Sequence, residues 1–189
     1  MGTDSSSSRQ GLSRRTFLGA SAAAFGTLAV RPAFAALPTN TETVRKLTLH
    51  NLHTGETCSS AYWEQGSYIP DSLAQIAHVL RDHRNGAVHP MDNKLLDLLN
   101  RLHAKLEVNK PFHVISGYRS PESNAKLAAA SNGVAKHSLH MEAKAIDIRV
   151  PGVDLKDLHK AAKSMGIGGV GFYAASNFVH VDVGRVRYW

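Results

Sequence analysis

Gly168-Gly169-Val170-Gly171-Phe172-Tyr173-Ala174-Ala175-Ser176-Asn177-Phe178-Val179-His180-Val181-Asp182-Val183 reads as two strands joined by an Ala-Ala-Ser-Asn turn. Side chains alternate between the faces of a strand, so Val179, Val181 and Val183 share one face while His180 and Asp182 share the other. The same alternation occurs upstream. Lys144 to Val150 puts Ala145, Asp147 and Arg149 on one face and Ile146 and Ile148 on the opposite one. Ionisable groups therefore stand at alternate positions in strands whose other face is apolar, and burying them unpaired would cost several kcal/mol.

The remaining elements mix strands and helices without a regular alternation. Val44 to His50 and Thr57 to Trp63 read as strands around a His53-Thr54-Gly55-Glu56 turn. Asp71 is placed to cap a helix carrying Leu73, Ile76, Ala77 and Leu80, with Asn85-Gly86 closing it. A second helix starts at Asp92 and presents Leu95, Leu96, Leu98, Leu99, Leu102 and Leu106. Phe112 to Ile115 is a short strand running into Ser116-Gly117-Tyr118-Arg119-Ser120, after which Pro121 suits the first position of a helix. Asp154 to Met165 reads as a further helix. The pattern predicts a single α+β domain over residues 44–189.

Composition agrees with a folded chain. The sequence has 189 residues, 43% hydrophobic and 20% charged, which excludes a disordered chain, a collagen-like fibre and a disulfide-dense mini-protein. Its one cysteine, Cys58, excludes an internal disulfide, so packing or a bound metal must hold the fold. Of the net charge of +7, a large share comes from Arg9, Arg14, Arg15 and Arg31 near the start, leaving the rest only mildly basic. Nucleic-acid binding accordingly has little support.

Those early arginines belong to an export signal. Ser13-Arg14-Arg15-Thr16-Phe17-Leu18 is a twin arginine followed by an apolar stretch to Val30, and Ala33-Phe34-Ala35 offers small residues for a signal peptidase. The stretch is ~14 residues long, short of the roughly 20 that a membrane span needs. The reading is a twin-arginine signal over residues 1–35, cut after Ala35, then a polar leader over 36–43. It predicts dependence on the twin-arginine export machinery, a periplasmic location and no stable membrane span after cleavage. An uncleaved anchor is the alternative.

Among 11 histidines, His140 and His180 stand out, because each accompanies Asp147 near a strand. Two imidazoles and one carboxylate suit Zn²⁺ with a position left open for water. Histidines such as His103 and His159, within helices, have a bland reading as surface or boundary residues. His137 has one as part of a polar loop.

Several motifs in order resemble a known family. Ser116-Gly117-Tyr118-Arg119-Ser120, Ser138-Leu139-His140, Ala145-Ile146-Asp147-Ile148, Gly169-Val170-Gly171 and Phe178-Val179-His180-Val181-Asp182 are similar to bacterial zinc peptidases of the D-alanyl-D-alanine carboxypeptidase type. Asn51-Leu52-His53-Thr54-Gly55-Glu56, Leu80-Arg81-Asp82-His83-Arg84 and Gly184-Arg185-Val186-Arg187-Tyr188-Trp189 resemble the murein endopeptidase K branch within them. The resemblance covers essentially all of residues 44–189. It implies a Hedgehog/DD-peptidase-like fold, in which a small antiparallel sheet flanked by helices carries one zinc ion. His140, Asp147 and His180 would be its ligands. Arg119 would face the reacting carbonyl or a substrate carboxylate, with Ser116 and Tyr118 beside it in the substrate-binding motif. The implied activity is hydrolysis of peptidoglycan stem-peptide cross-links, at bonds involving meso-diaminopimelate.

Two positions depart from the family pattern. Many relatives carry Glu or Asp, as general base, three residues before the last zinc-binding histidine; here Asn177 stands there. An amide accepts no proton at neutral pH. Asp182 is a candidate for the base and, alternatively, for orienting His180; Glu142 and His137 are weaker candidates. Ala143 replaces a common glycine, a small change unless the backbone there needs a positive φ. Alternative functions are a D,D- or L,D-carboxypeptidase that trims stem peptides and a non-catalytic peptidoglycan-binding protein, the latter motivated by Asn177.

Overall fold

The computed structural model describes residues 43–130 and 135–189; the expected export signal over 1–35 and the expected leader over 36–43, apart from Thr43, lie outside them. Strands β1 (Val44–Asn51) and β2 (Thr57–Glu64) form a hairpin, extended by the short β3 (Ser67–Tyr68). Helices α1 (Pro70–Val79) and α2 (Asn93–Leu106) follow, then β4 (Phe112–Ser116) and α3 (Pro121–Ala130). A 3₁₀ turn, Leu139–Glu142, leads into β5 (Ala145–Arg149). Helix α4 (Leu155–Ser164) and strands β6 (Gly169–Tyr173), β7 (Phe178–Asp182) and β8 (Arg187–Tyr188) complete the chain.

The strands make one sheet in the order β3-β2-β1-β4-β5-β7-β6-β8. The expected small antiparallel sheet is corrected on both counts. It has eight strands among the described residues, and β1–β4 and β6–β8 pair in parallel. The β1–β4 pairing is parallel because β1 is followed by its hairpin partner and two helices before the chain returns beside it. The α+β character stands, with helices covering an apolar face.

That face carries Leu47, Leu49, Phe112, Val114, Ile146, Ile148, Val179 and Val181, all at most 1% exposed. The leucines of α2 and Leu158 and Ala162 of α4 join them in one core. Helix α2 opens as the sequence predicts: Asp92 caps it, accepting a hydrogen bond from the Lys94 N–H. Helix α1 differs. Pro70 takes the first position, where its missing N–H costs nothing, so Asp71 sits in the first turn rather than at the cap. It also ends at Val79, well before Asn85-Gly86, because Asp82 is pulled into the interior. Among the described residues no helix is long and apolar enough to cross a membrane.

The opposite face of the sheet meets the 3₁₀ turn. Ala143, which ends that turn, is fully buried with φ of 53°, the left-handed region that glycine prefers. Its N–H reaches the His140 carbonyl and its own carbonyl accepts from Asp92 at the start of α2. The backbone thus demands a positive φ here, at a cost of roughly 1–2 kcal/mol for a residue with Cβ. Ala143→Gly removes that strain and a buried methyl worth about 0.8 kcal/mol, so its stability is expected within about 1 kcal/mol of the parent. Ala143→Val is expected to lose about 2–4 kcal/mol through strain and overpacking, measured by urea unfolding.

Candidate metal centre

Three elements deliver the site. The 3₁₀ turn presents His140, β5 presents Asp147, and β7 presents His180, which pairs with Asp147 across the sheet. All three are buried, and one ligand atom from each lies within 4.8 Å of the others. The His180 Nδ1 is 2.8 Å from the Asp147 Oδ1, and the His140 Nε2 is 3.3 Å from both.

The outward nitrogens decide the tautomers. His140 Nδ1 lies 2.7 Å from the Gly117 carbonyl, an acceptor only, so that nitrogen carries the proton and Nε2 turns a lone pair inward. His180 Nε2 lies 3.0 Å from the Asp182 carboxylate and likewise donates, leaving Nδ1 as the inward atom. Two lone pairs and a carboxylate oxygen then converge, an arrangement that a cation satisfies. These residues fit a metal ion. A second proton on His180 is the other way to satisfy the group. Burial opposes that proton, while hydrogen bonds to Asp147 and Asp182 outweigh burial and raise the imidazole's affinity for it. Burial would likewise push Asp147 up, but the charge and hydrogen bonds of His140 and His180 hold its carboxyl well below the usual range.

Asp182 is fully buried. Its two oxygens accept from His180, from the Gly169 and Gly184 N–H groups, and from both arms of Arg187. Burial again opposes ionisation, and these donors more than compensate. Of its two expected roles, this geometry matches orienting His180, since a carboxylate so fully engaged has no lone pair free for a water.

Arg119 stands beside the group, its Nη2 3.8 Å from the Asp147 Oδ2. Its guanidinium donates to the Ser116 hydroxyl and the Asn124 side-chain oxygen, while its buried Nε has no partner among the described residues. Burial lowers its pKa and the Asp147 carboxylate works against that. The loop carrying it is clasped to the 3₁₀ turn, because the Arg119 N–H reaches the His140 carbonyl. Asp82 anchors the same loop from below by accepting from the N–H and hydroxyl of Ser120.

A cleft of about 390 Å³ opens over His140, Asp147 and His180. Arg119, His137, Tyr173, Phe178, Arg187 and Trp189 contribute to its walls. Two expected binding residues do not line it. Ser116 is buried and acts through Arg119, and Tyr118 is packed in the core with its ring against His89. Asn177 is exposed at the β6–β7 turn with φ of 53°, a conformation in which asparagine is enriched. Glu142 pairs with Lys144 at the surface.

The sequence reading assigned no role to Tyr173, Arg187 or Trp189, although a signal existed. Gly169 and Gly171 alternate on the face of His180, and a Cβ on either would collide with Arg187 or with the Trp189 ring at 2.5–2.8 Å. Such glycines mark a close approach.

With this geometry in hand, the comparisons with known proteins are specific. A family model described as Peptidoglycan L,D-endopeptidase MepK matches residues 39–189. This chain belongs to that family. The Peptidoglycan L,D-endopeptidase MepK of Escherichia coli (strain K12) is 46% identical over 158 residues, 84% of this chain and 86% of the relative. A probable peptidoglycan L,D-endopeptidase MepK from Haemophilus influenzae is 41% identical over 146 residues, 77% of this chain and 78% of the relative. The family's match covers every residue of the candidate site.

Two outcomes are expected. His140→Ala loses bound divalent metal by elemental analysis, and Asp182→Asn binds it roughly 10–100-fold more weakly. For the Arg119 loop, burial opposes the charge on Asp82 but hydrogen bonds from Ser123, Ser120 and Arg84 lower its pKa to about 2. A depressed carboxylate stabilises the fold above its unfolded pKa and loses that contribution as pH falls through the folded one. About 2 kcal/mol is therefore expected to vanish between pH ~4 and ~2, and chemical denaturation should show a shallower loss in Asp82→Asn.

Proposed function

We propose that this protein is a zinc-dependent peptidoglycan L,D-endopeptidase that hydrolyses stem-peptide cross-links at bonds involving meso-diaminopimelate. The observation that carries the reading is the convergence of His140, Asp147 and His180, protons turned outward, at an open cleft beside Arg119. Family membership supplies the substrate class.

His140 Nε2, His180 Nδ1 and Asp147 would hold the ion. When bound, zinc on two imidazoles and a carboxylate acidifies a water and polarises a carbonyl. The chain's own residues do the rest. Gly117 and Asp182 keep the imidazole protons on the outer nitrogens, so the rings stay neutral ligands of fixed orientation. Arg119 keeps a guanidinium charge beside the metal group at the cleft, suited to the oxygen that becomes negative as the carbonyl is attacked. Asp147, the carboxylate among the cleft's residues, would be a ligand, and His137 is exposed in the cleft wall outside the proposed ligand set.

Export belongs to the same reading. Arg14-Arg15 and Ala33-Phe34-Ala35 support passage by the twin-arginine route to the periplasm, where peptidoglycan lies. The exported chain is expected to begin at Ala36, as N-terminal sequencing would show.

The decisive test supplies purified protein lacking residues 1–35 with a cross-linked muropeptide dimer, with and without chelator. Two monomers are expected, none with chelator, and full recovery on adding Zn²⁺. Release of a single amino acid would mean a carboxypeptidase, and bound zinc without turnover a wall-binding protein. Arg119→Ala is expected to lower kcat roughly 10²–10³-fold with metal content unchanged.

A further inference from the structure

We infer that Tyr173 is a catalytic residue: its phenolic O–H, aimed by the Trp189 indole, donates to the oxygen of the scissile carbonyl across the cleft from Arg119. The inference rests on the endopeptidase reading above and adds a second, neutral donor to the guanidinium.

Indole Nε1–H can only donate, so the 2.8 Å contact between Trp189 Nε1 and the Tyr173 Oη makes the phenol oxygen the acceptor. The phenol proton is then left to point elsewhere, and no acceptor takes it among the described residues. Tyr173 lines the cleft, so an occupant there can accept that hydrogen. The ring cannot drift. It stacks on Phe178 at 4.6 Å and 19°, its cross-strand partner in the β6–β7 hairpin. Trp189, though 48% exposed, has its ring centroid 5.3 Å from that of His180 and its backbone bonded on both sides to β6. The absence of a side chain at Gly171, opposite His180, is what lets the indole lie there. Tyr173 and Arg119 both line the cleft.

The arrangement resembles a preorganised donor pair: one buried cation and one neutral hydroxyl, each held by protein groups before substrate arrives. Donors of this kind act on the charge that develops in the transition state more than on ground-state binding. No proton is transferred; the phenol only shares its hydrogen with the developing oxyanion.

Tyr173→Phe keeps the ring stack and removes the donor. On a muropeptide dimer it is expected to lower kcat roughly 100-fold with KM changed little, and with metal content and Tm as in the parent. Its affinity for a tetrahedral phosphinate analogue of the scissile bond, by calorimetry, should fall by a similar factor. Trp189→Phe, which frees the phenol to rotate, is expected to lose about tenfold, and the double variant no more than Tyr173→Phe alone. An unchanged kcat in Tyr173→Phe, or losses that multiply in the double variant, would overturn the inference while leaving the endopeptidase intact. A parent protein that leaves the dimer uncut would overturn both.

Discussion

Three buried acceptor atoms forced within 2.8–3.3 Å of one another, with their protons turned away, are the constraint on which this structure depends. A second proton on His180 or a divalent cation balances them, and around the cation they would become its ligands. The surrounding chain is arranged to keep them so. The Gly117 carbonyl holds one proton outward, and Asp182 holds the other. Asp182 in turn is kept ionised in the interior by two backbone N–H groups and both arms of Arg187. A carboxylate buried this deeply would be costly on its own, and the ring of donors removes that cost.

The sheet explains why these groups can meet at all. One face is sealed by the leucines of α2 and by α4, which fixes the register of β5 and β7 through Ile146, Ile148, Val179 and Val181. Asp147 and His180 then fall opposite each other on the other face, because a shift of one residue would expose the whole apolar set. His140 comes from a turn rather than a strand, and its place is set by the clasp with the Arg119 loop. That loop rests on Asp82, so a residue far from the ligands in sequence positions the cation beside them. The cleft is lined by Arg119 together with Tyr173, Phe178 and Trp189, so a cation and aromatic rings meet its contents.

Much of this was legible beforehand. The alternation of valines with His180 and Asp182, and of isoleucines with Asp147, specified which side chains share the polar face, since the strand period is two. Asp92 as a cap, Pro121 at a helix start and the broad leucine face of α2 also read correctly from local chemistry. Ala143 and Asn177 are instructive as departures from a pattern. The first sits where the backbone needs a positive φ despite its methyl, and the second where asparagine suits the turn. Neither position could be judged from residue type alone, because the dihedral angle is imposed by the turn's neighbours.

The sequence by itself determined the strand faces and the helix cap at Asp92, because each follows from period or capping chemistry, while His140, Asp147 and His180 came forward as candidate ligands through the family resemblance. Only the tertiary structure decided the eight-strand mixed order, the end of α1 before Asp82, the withdrawal of Tyr118 into the core and the arrival of Arg187 and Trp189 at the site. Those features rest on contacts between residues distant in the chain, where packing and hydrogen-bond partners, not local preference, fix the outcome.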